Sequence, residues 1–272
     1  MVDRAGLDFR LMGIPEAWGA RLIVVFALLL LLISPLSANV ITYDGRGNAT
    51  SIQDLINTTS NGDSIYLAGG TYHENLLINR PIVFGALDTN NPPEIVSSGV
   101  SDAGITLASD GITLNGVVIS GTAQHGLLVQ SSNNRISAIT VKGLDNGIAL
   151  KSAMGNIFSG NTIVNNSVGI EIDRTSRSNI FYLNYLDNTR DVVTASAENI
   201  WSGRQSYRYA GSDFSGTLGN FWKAYKNTDS NGDGVWDTPY SIQSSAPGPN
   251  AAMETSDRGP LVSSPELYTL VS

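Results

Sequence analysis

The sequence contains no cysteine. That excludes a disulfide framework, a cysteine-based zinc site and a thiol nucleophile. Charge is scarce: Asp, Glu, Lys and Arg make up 15% of the 272 residues, with 24 acids against 16 bases and a net charge of −8. A nucleic-acid binder displaces counterions from phosphates with clustered Lys and Arg, and this chain lacks that basic excess. Long apolar runs are absent apart from one, LIVVFALLLLLI at Leu22–Ile33. The rest of the chain is therefore expected outside a membrane, touching one only through its N-terminal segment.

That run has twelve residues, short of the roughly 20 that a bilayer-spanning helix needs. Arg21 precedes it and SPLSA (Ser34–Ala38) follows, a breaker with small residues. The pattern predicts a signal peptide over residues 1–38, cleaved after Ala38, with an uncleaved anchor as the alternative. Asp3, Asp8 and Glu16 are unusual in a basic leader, so Met12 is a second candidate start. Secretion or cell-surface display is the expected location.

What the chain has in quantity is Gly, Ser, Thr and Asn, residues that tolerate tight turns. It also has a repeat. GITL begins at Gly104, GLLV at Gly126, GIAL at Gly147 and GIEI at Gly169, and DVVT at Asp191 is a fifth copy. The spacings are 22, 21, 22 and 22 residues, a solenoid period. Within each copy the second and fourth positions are apolar or, at Thr194, β-branched, as in Ile105/Leu107 and Ile148/Leu150. This is a strand with one buried face. Further short β-type pieces follow in each repeat, separated by Asn at five-residue intervals: Asp110/Asn115, Asn156/Asn161 and Asn179/Asn184. Three short strands per ~22 residues describe one coil of a parallel β-helix, with like side chains stacked about 4.8 Å apart. Stacked Asn would satisfy the corner amides. A leucine-rich horseshoe shares the period, but it needs L-x-x-L-x-L and helical outer segments, whereas β-branched and turn residues dominate here.

The expected architecture is all-β: a single-stranded parallel β-helix over residues 39–200, and a C-terminal cap over 201–272. SIQDLI (Ser51–Ile56) reads as a short helix, with Ser51 and Asp54 as its capping box, plugging the N-terminal end. At the other end, aromatics from Trp201 to Tyr240 read as a plug, with a sugar-stacking platform as the alternative. Between them stands DSNGDGVWD. Oxygen donors at Asp229, Asn231 and Asp233, the Val235 carbonyl and Asp237, with Gly234 at the turn, follow the start of a calcium loop. Position 12, usually Glu, is Tyr240, so the missing oxygens are expected from Asp257 or Glu254 folding back, or from water. A solvated Asp/Gly turn is the alternative. The calcium would be structural.

Together TSIQDLI, NGDSIYLAGGTYHENLLINRPIVFGA, the GI-x-L coils and GNFWKAYKNTDSNGDGVWDTPYSI resemble the NosD-type β-helix proteins, within the wider carbohydrate-binding and sugar-hydrolysis class of pectin-lyase-like folds. The C-terminal block resembles copies in archaeal surface proteins. The resemblance implies a right-handed β-helix outside the cytoplasmic membrane, and sequons at Asn48, Asn57 and Asn165 fit exposure there. It also implies a copper role, which is not carried over. Copper favours thiolate, thioether or imidazole, and the chain beyond the leader offers only scattered His73, His125, Met154 and Met253.

For catalysis, the candidates are Glu171 and Asp173, which alternate with buried Ile170 and Ile172 and so point outward together. Lys151 occupies the position of Asp173 one coil earlier, so a stacked Lys–Asp pair is expected as their structural explanation. His73 and His125 read as lone surface or corner residues. The expected protein is an exported, non-catalytic monomer that binds glycans or cell-surface proteins, the alternative being a polysaccharide hydrolase or lyase.

Overall fold

A computed structural model describes residues 38–45, 51–99, 101–196, 198–242 and 255–271. The leader through Ser37, Asn48, Met253 and Glu254 lie outside the described residues. The chain winds into a parallel β-solenoid of about seven coils with three sheets. The first sheet runs from Val40–Tyr43 through Ser64–Leu67, Val83–Ala86, Thr113–Asn115, Arg135–Ser137 and Ile157–Ser159 to Ile180–Tyr182. The second holds Leu76–Ile78, Ala103–Leu107, His125–Val129, Asn146–Leu150, Val168–Ile172 and Arg190–Thr194. The third runs from Thr71–Tyr72 through Glu94–Ser97, Val118–Gly121, Thr140–Lys142, Thr162–Val164 and Tyr185–Asp187 to Phe221–Trp222.

The repeat appears in the register. Leu76, Ile105, Leu127, Ile148, Ile170 and Val192 form one column of the second sheet. Ile65, Phe84, Leu114, Ile136, Phe158 and Phe181 form one in the first. From Ile65 to Phe181, and from Ile105 to Ile170, these columns are solvent-free and form one continuous core. Each coil glycine has a steric reason. A Cβ on Gly126, Gly147 or Gly169 would come within 2.7–2.8 Å of the carbonyl oxygen one coil on, so only glycine fits that corner.

All three corners carry hydrogen-bonded side-chain columns. In the first, Asn134, Asn156, Asn179 and Asn199 follow one another, each backbone N–H and side-chain Nδ2 donating to the next Oδ1 at 2.8–3.1 Å. The second runs Asn161, Asn184, Asn220 and ends on Asp257. The third runs Asn166, Asn188 and ends on Asp191. The backbone N–H groups of Ile112, Ile139 and Leu144 start the columns. Asp110 and Asn115 therefore do not belong to them despite the five-residue interval. Asp110 instead accepts from the Ser132 N–H, and Asn115 reaches Ser137.

The helix spans Ile52–Thr58 and buries Ile52 and Ile56. Ser51 accepts from the Asp54 N–H, and the Glu74 carboxylate accepts from the N–H groups of Ile52 and Gln53. Four otherwise orphaned donors begin every helix, and three are met here. The opposite end is an aromatic plug: Phe158, Phe181 and Trp201 stack at 4.7 and 4.4 Å, Trp222 lies 5.9 Å beyond, and Tyr240 stacks on Trp222 at 4.2 Å. A hairpin, Gly203–Tyr209 with Ser212–Leu218, takes Thr269–Leu270 onto one edge.

Candidate functional site

The outer face of the second sheet carries the two acids expected to matter. Ala103, His125, Asn146, Val168 and Arg190 form one register column there, and Thr106, Leu128, Ala149, Glu171 and Val193 another. Ala103, Leu128 and Ala149 make a small buried apolar cluster, separate from the core. Glu171 and Asp173 point outward, as alternation requires, but they are not an acid–base pair. One Glu171 oxygen accepts from Asn146 Nδ2 at 2.7 Å. Asp173 closes a turn: its oxygens accept from the N–H groups of Ser152, Thr175 and Ser176 and from the hydroxyls of Thr175 and Ser176. Burial opposes its charge, yet the hydrogen bonds from Ser176, Thr175 and Ser152 together hold its carboxyl below the usual range. Lys151 and Asp173 follow the register one coil apart, as expected, but no ion pair joins them, because the turn takes the carboxylate.

The structure adds Asn146, which sequence reasoning passed over, and buries His125, expected as a lone surface or corner residue. Asn146 Nδ2 also lies 3.2 Å from His125 Nδ1. An amide nitrogen only donates, so Nδ1 accepts and the proton sits on Nε2, which is buried without an acceptor. Burial and the nearby Lys151 depress the imidazole pKa, against opposing pulls from Glu171 and Asp102, so His125 is a neutral donor. The available signal was positional: His125 and Asn146 each precede a coil glycine 21 residues apart, so they stack.

The acidic loop is a tight set of side-chain-to-backbone turns. Asp229 accepts from the N–H groups of Gly232 and Gly234, Asn231 from Asp233, Asp233 from Val235, and Asp237 from Ser230. Gly232 and Gly234 have φ of +69° and +85°, where glycine alone is unstrained. Val235 bridges Leu261, and Tyr207 and Tyr268 donate their hydroxyls to the carbonyls of Asp233 and Gly234. Among the described residues no three His, Asp or Glu side chains converge as a metal set. Asp257 does not fold back to this loop. It is fully buried beneath the plug, accepting from Asn220, the Trp222 indole at 2.9 Å and the Gly259 N–H at 3.0 Å. Burial pushes its carboxyl up to about 6, against those hydrogen bonds.

Residues 32–227 match the family model described as periplasmic copper-binding protein (NosD). No curated protein sequence matches. Among solved structures, the chain is similar to the crystal structure of an alginate lyase from Paenibacillus sp. str. FPU-7, with 16% identity, a TM-score of 0.45, and coverage of 59% of this chain and 61% of that one. Copper needs soft or imidazole donors gathered in one place. Here His73 is exposed beside the third sheet, His125 starts a second-sheet strand with Nδ1 already engaged, and Met154 lies at a different corner. The donor set does not fit copper. Among the described residues no helix is long and apolar enough to cross a membrane. On a match that takes in well over half of its length, the chain belongs to the NosD family.

Proposed function

We propose that the protein is an extracytoplasmic, non-catalytic β-helix that binds glycans along the outer face of its second sheet, with calcium bracing the C-terminal cap. One observation carries the non-catalytic reading: both outward acids are engaged, Asp173 by five hydrogen bonds and Glu171 by Asn146. Glycoside hydrolysis needs one carboxyl to give up a proton and another to attack or activate water, and Asp173 is tied to its turn. What remains suits recognition: Lys151 and Gln130 are exposed beside a small apolar floor of Leu128 and Ala149. The periplasmic description of the family supports the location. A polysaccharide hydrolase or lyase is the second reading, favoured by His125 Nε2, a neutral buried group without an acceptor.

The test is a glycan array on the purified chain, alongside a turnover assay on every glycan it binds. Binding without turnover, weakened at least tenfold by Lys151→Ala or Glu171→Ala, is the expected result. Turnover by the wild type that His125→Ala abolishes would replace this reading with the second.

For calcium, Asp229, Asn231, Asp233, Asp237 and the Val235 carbonyl would hold the ion. All are hard oxygen donors, as calcium requires. Its role would be to neutralise the crowded loop against the cap.

A further inference from the structure

A cavity of about 500 Å³ opens beside the aromatic plug, where the last coil meets the hairpin. Its wall includes Trp201, Ser202, Arg204, Thr217, Ser256 and Arg258. The two arginines share one spot. Arg204 is the cross-strand partner of Thr217, and a Cβ on Gly259, next to Arg258, would lie 2.2 Å from the Thr217 carbonyl oxygen. Arg204 and Arg258 therefore flank Thr217. Both are exposed, and neither forms an ion pair among the described residues. The nearest acid in sequence, Asp257, is turned inward to Asn220, Trp222 and Gly259. Trp201 is 1% exposed, yet its indole N–H has no acceptor. Two guanidinium groups on one cavity wall with no carboxylate partner among the described residues, in a chain of net charge −8, ask for an anion.

We infer that this cavity is an anion-binding site for the carboxylate or sulfate of an acidic sugar chain. Guanidinium groups bind planar and tetrahedral oxyanions through paired N–H donors. The hydroxyls of Ser202, Thr217 and Ser256, which make no hydrogen bond among the described residues, supply neutral donors around them. The site is separate from the second-sheet face. The choice of a sugar chain as carrier rests on the glycan-binding reading; the anion site does not.

The test uses the purified full chain, titrated with a polygalacturonate oligomer, a sulfated oligosaccharide, a neutral oligosaccharide of equal length and inorganic sulfate, followed by calorimetry and tryptophan fluorescence. Expected is binding of an acidic oligomer at least tenfold tighter than the neutral one, weakening as salt rises. Arg204→Gln with Arg258→Gln removes it while the melting temperature stays unchanged. Arg204→Lys with Arg258→Lys retains part of it. Binding of inorganic sulfate alone would reduce the site to an adventitious ion only and overturn the proposal. Acidic-oligomer binding untouched by the double Gln variant would overturn it too. If Lys151→Ala weakens binding of the acidic oligomer while the arginine variants do not, this site fails and the glycan-binding reading stands. Failure of every glycan to bind sinks both.

Discussion

Replacing Asn184 with Ala tests what holds the coils together. Asn184 is fully buried. Its Oδ1 accepts from Asn161 N and Nδ2 at 3.0 and 2.9 Å, and its Nδ2 donates to Asn220 Oδ1 and Phe158 O at 2.8 and 2.9 Å. Ala keeps the backbone N–H to Asn220 but strands the Asn161 N–H and one Asn161 Nδ2 hydrogen, and takes one of two donors from the Phe158 carbonyl, which the strand register also pairs with the Tyr182 N–H. Asn161 Nδ2 retains Ile136 O, so its loss is partial. At about 1–3 kcal/mol per stranded buried group, the variant should lose about 3–6 kcal/mol. For a chain of this size that is a fall of roughly 6–24 °C in Tm. Urea unfolding followed by tryptophan fluorescence reads it locally, since Trp201 and Trp222 plug the same end. Asn184→Asp should do little better, because its second oxygen would face the oxygens of Phe158 and Asn220. Asn115→Ala is the control: half-buried and outside the columns, it should cost less than about 1 kcal/mol. If Asn184→Ala costs no more than that control, the columns do not satisfy the corner amides and the argument fails.

Gly126→Ala should cost about 1–3 kcal/mol through overpacking, since the new Cβ would sit 2.5 Å from Val141 and 2.8 Å from the Gly147 carbonyl; an unchanged urea midpoint would deny the steric reason for the coil glycine. Removing calcium with a chelator should lower Tm, by an amount worth about 2.7 kcal/mol where free calcium stands a hundredfold above its Kd, and Asp233→Ala should abolish the response to chelator; an identical wild-type melt with and without chelator retires the calcium reading. Asp257 carries a pH prediction. Its folded pKa of about 6 lies above the ordinary Asp value, so between about pH 4 and 6 the folded chain binds more protons than the unfolded one and stability falls as pH rises. Two pKa units correspond to on the order of 3 kcal/mol. The difference in stability between wild type and Asp257→Asn across that window isolates it, and a pH-independent difference would contradict it.

How much of this could be read from the sequence followed from periodicity. The columns through Ile105 and Leu127, the capping helix and the plug all arise from burial patterns that repeat or sit at a chain end, so local spacing reveals them. The Asn156/Asn161 and Asn179/Asn184 intervals marked two ladders, but the same spacing at Asp110/Asn115 did not, because the corner there is still held by backbone N–H groups. What was illegible lies off the period. Asn184 meets Asn220 across 36 residues, and Asn220 meets Asp257 across 37. Asp257 is, with Glu254 and water, one of the alternatives that sequence offers to complete the calcium loop, whereas the ladder draws it inside. Asp173 looked catalytic because alternation predicts direction, not what a turn will do with a carboxylate. His125 looked solitary because its partner Asn146 lies a full coil away.

The ladders also have a polarity, and it explains which residues end them. In every column the amide of one coil donates forward to the carbonyl of the next, so the amide dipoles align and the last residue presents N–H groups with nothing beyond. An acceptor that needs no donor in return is the best terminus, and a carboxylate is such a group. Two of the three columns end on one, Asp257 and Asp191. Burial raises both pKa values, a cost the fold accepts at these ends. At these two ends Asp accepts without passing an N–H onward, whereas the first column ends on Asn199, whose Nδ2 donates back to the Ser176 carbonyl. The acids Asp257 and Asp191 therefore close two of the three series, and an asparagine closes the other.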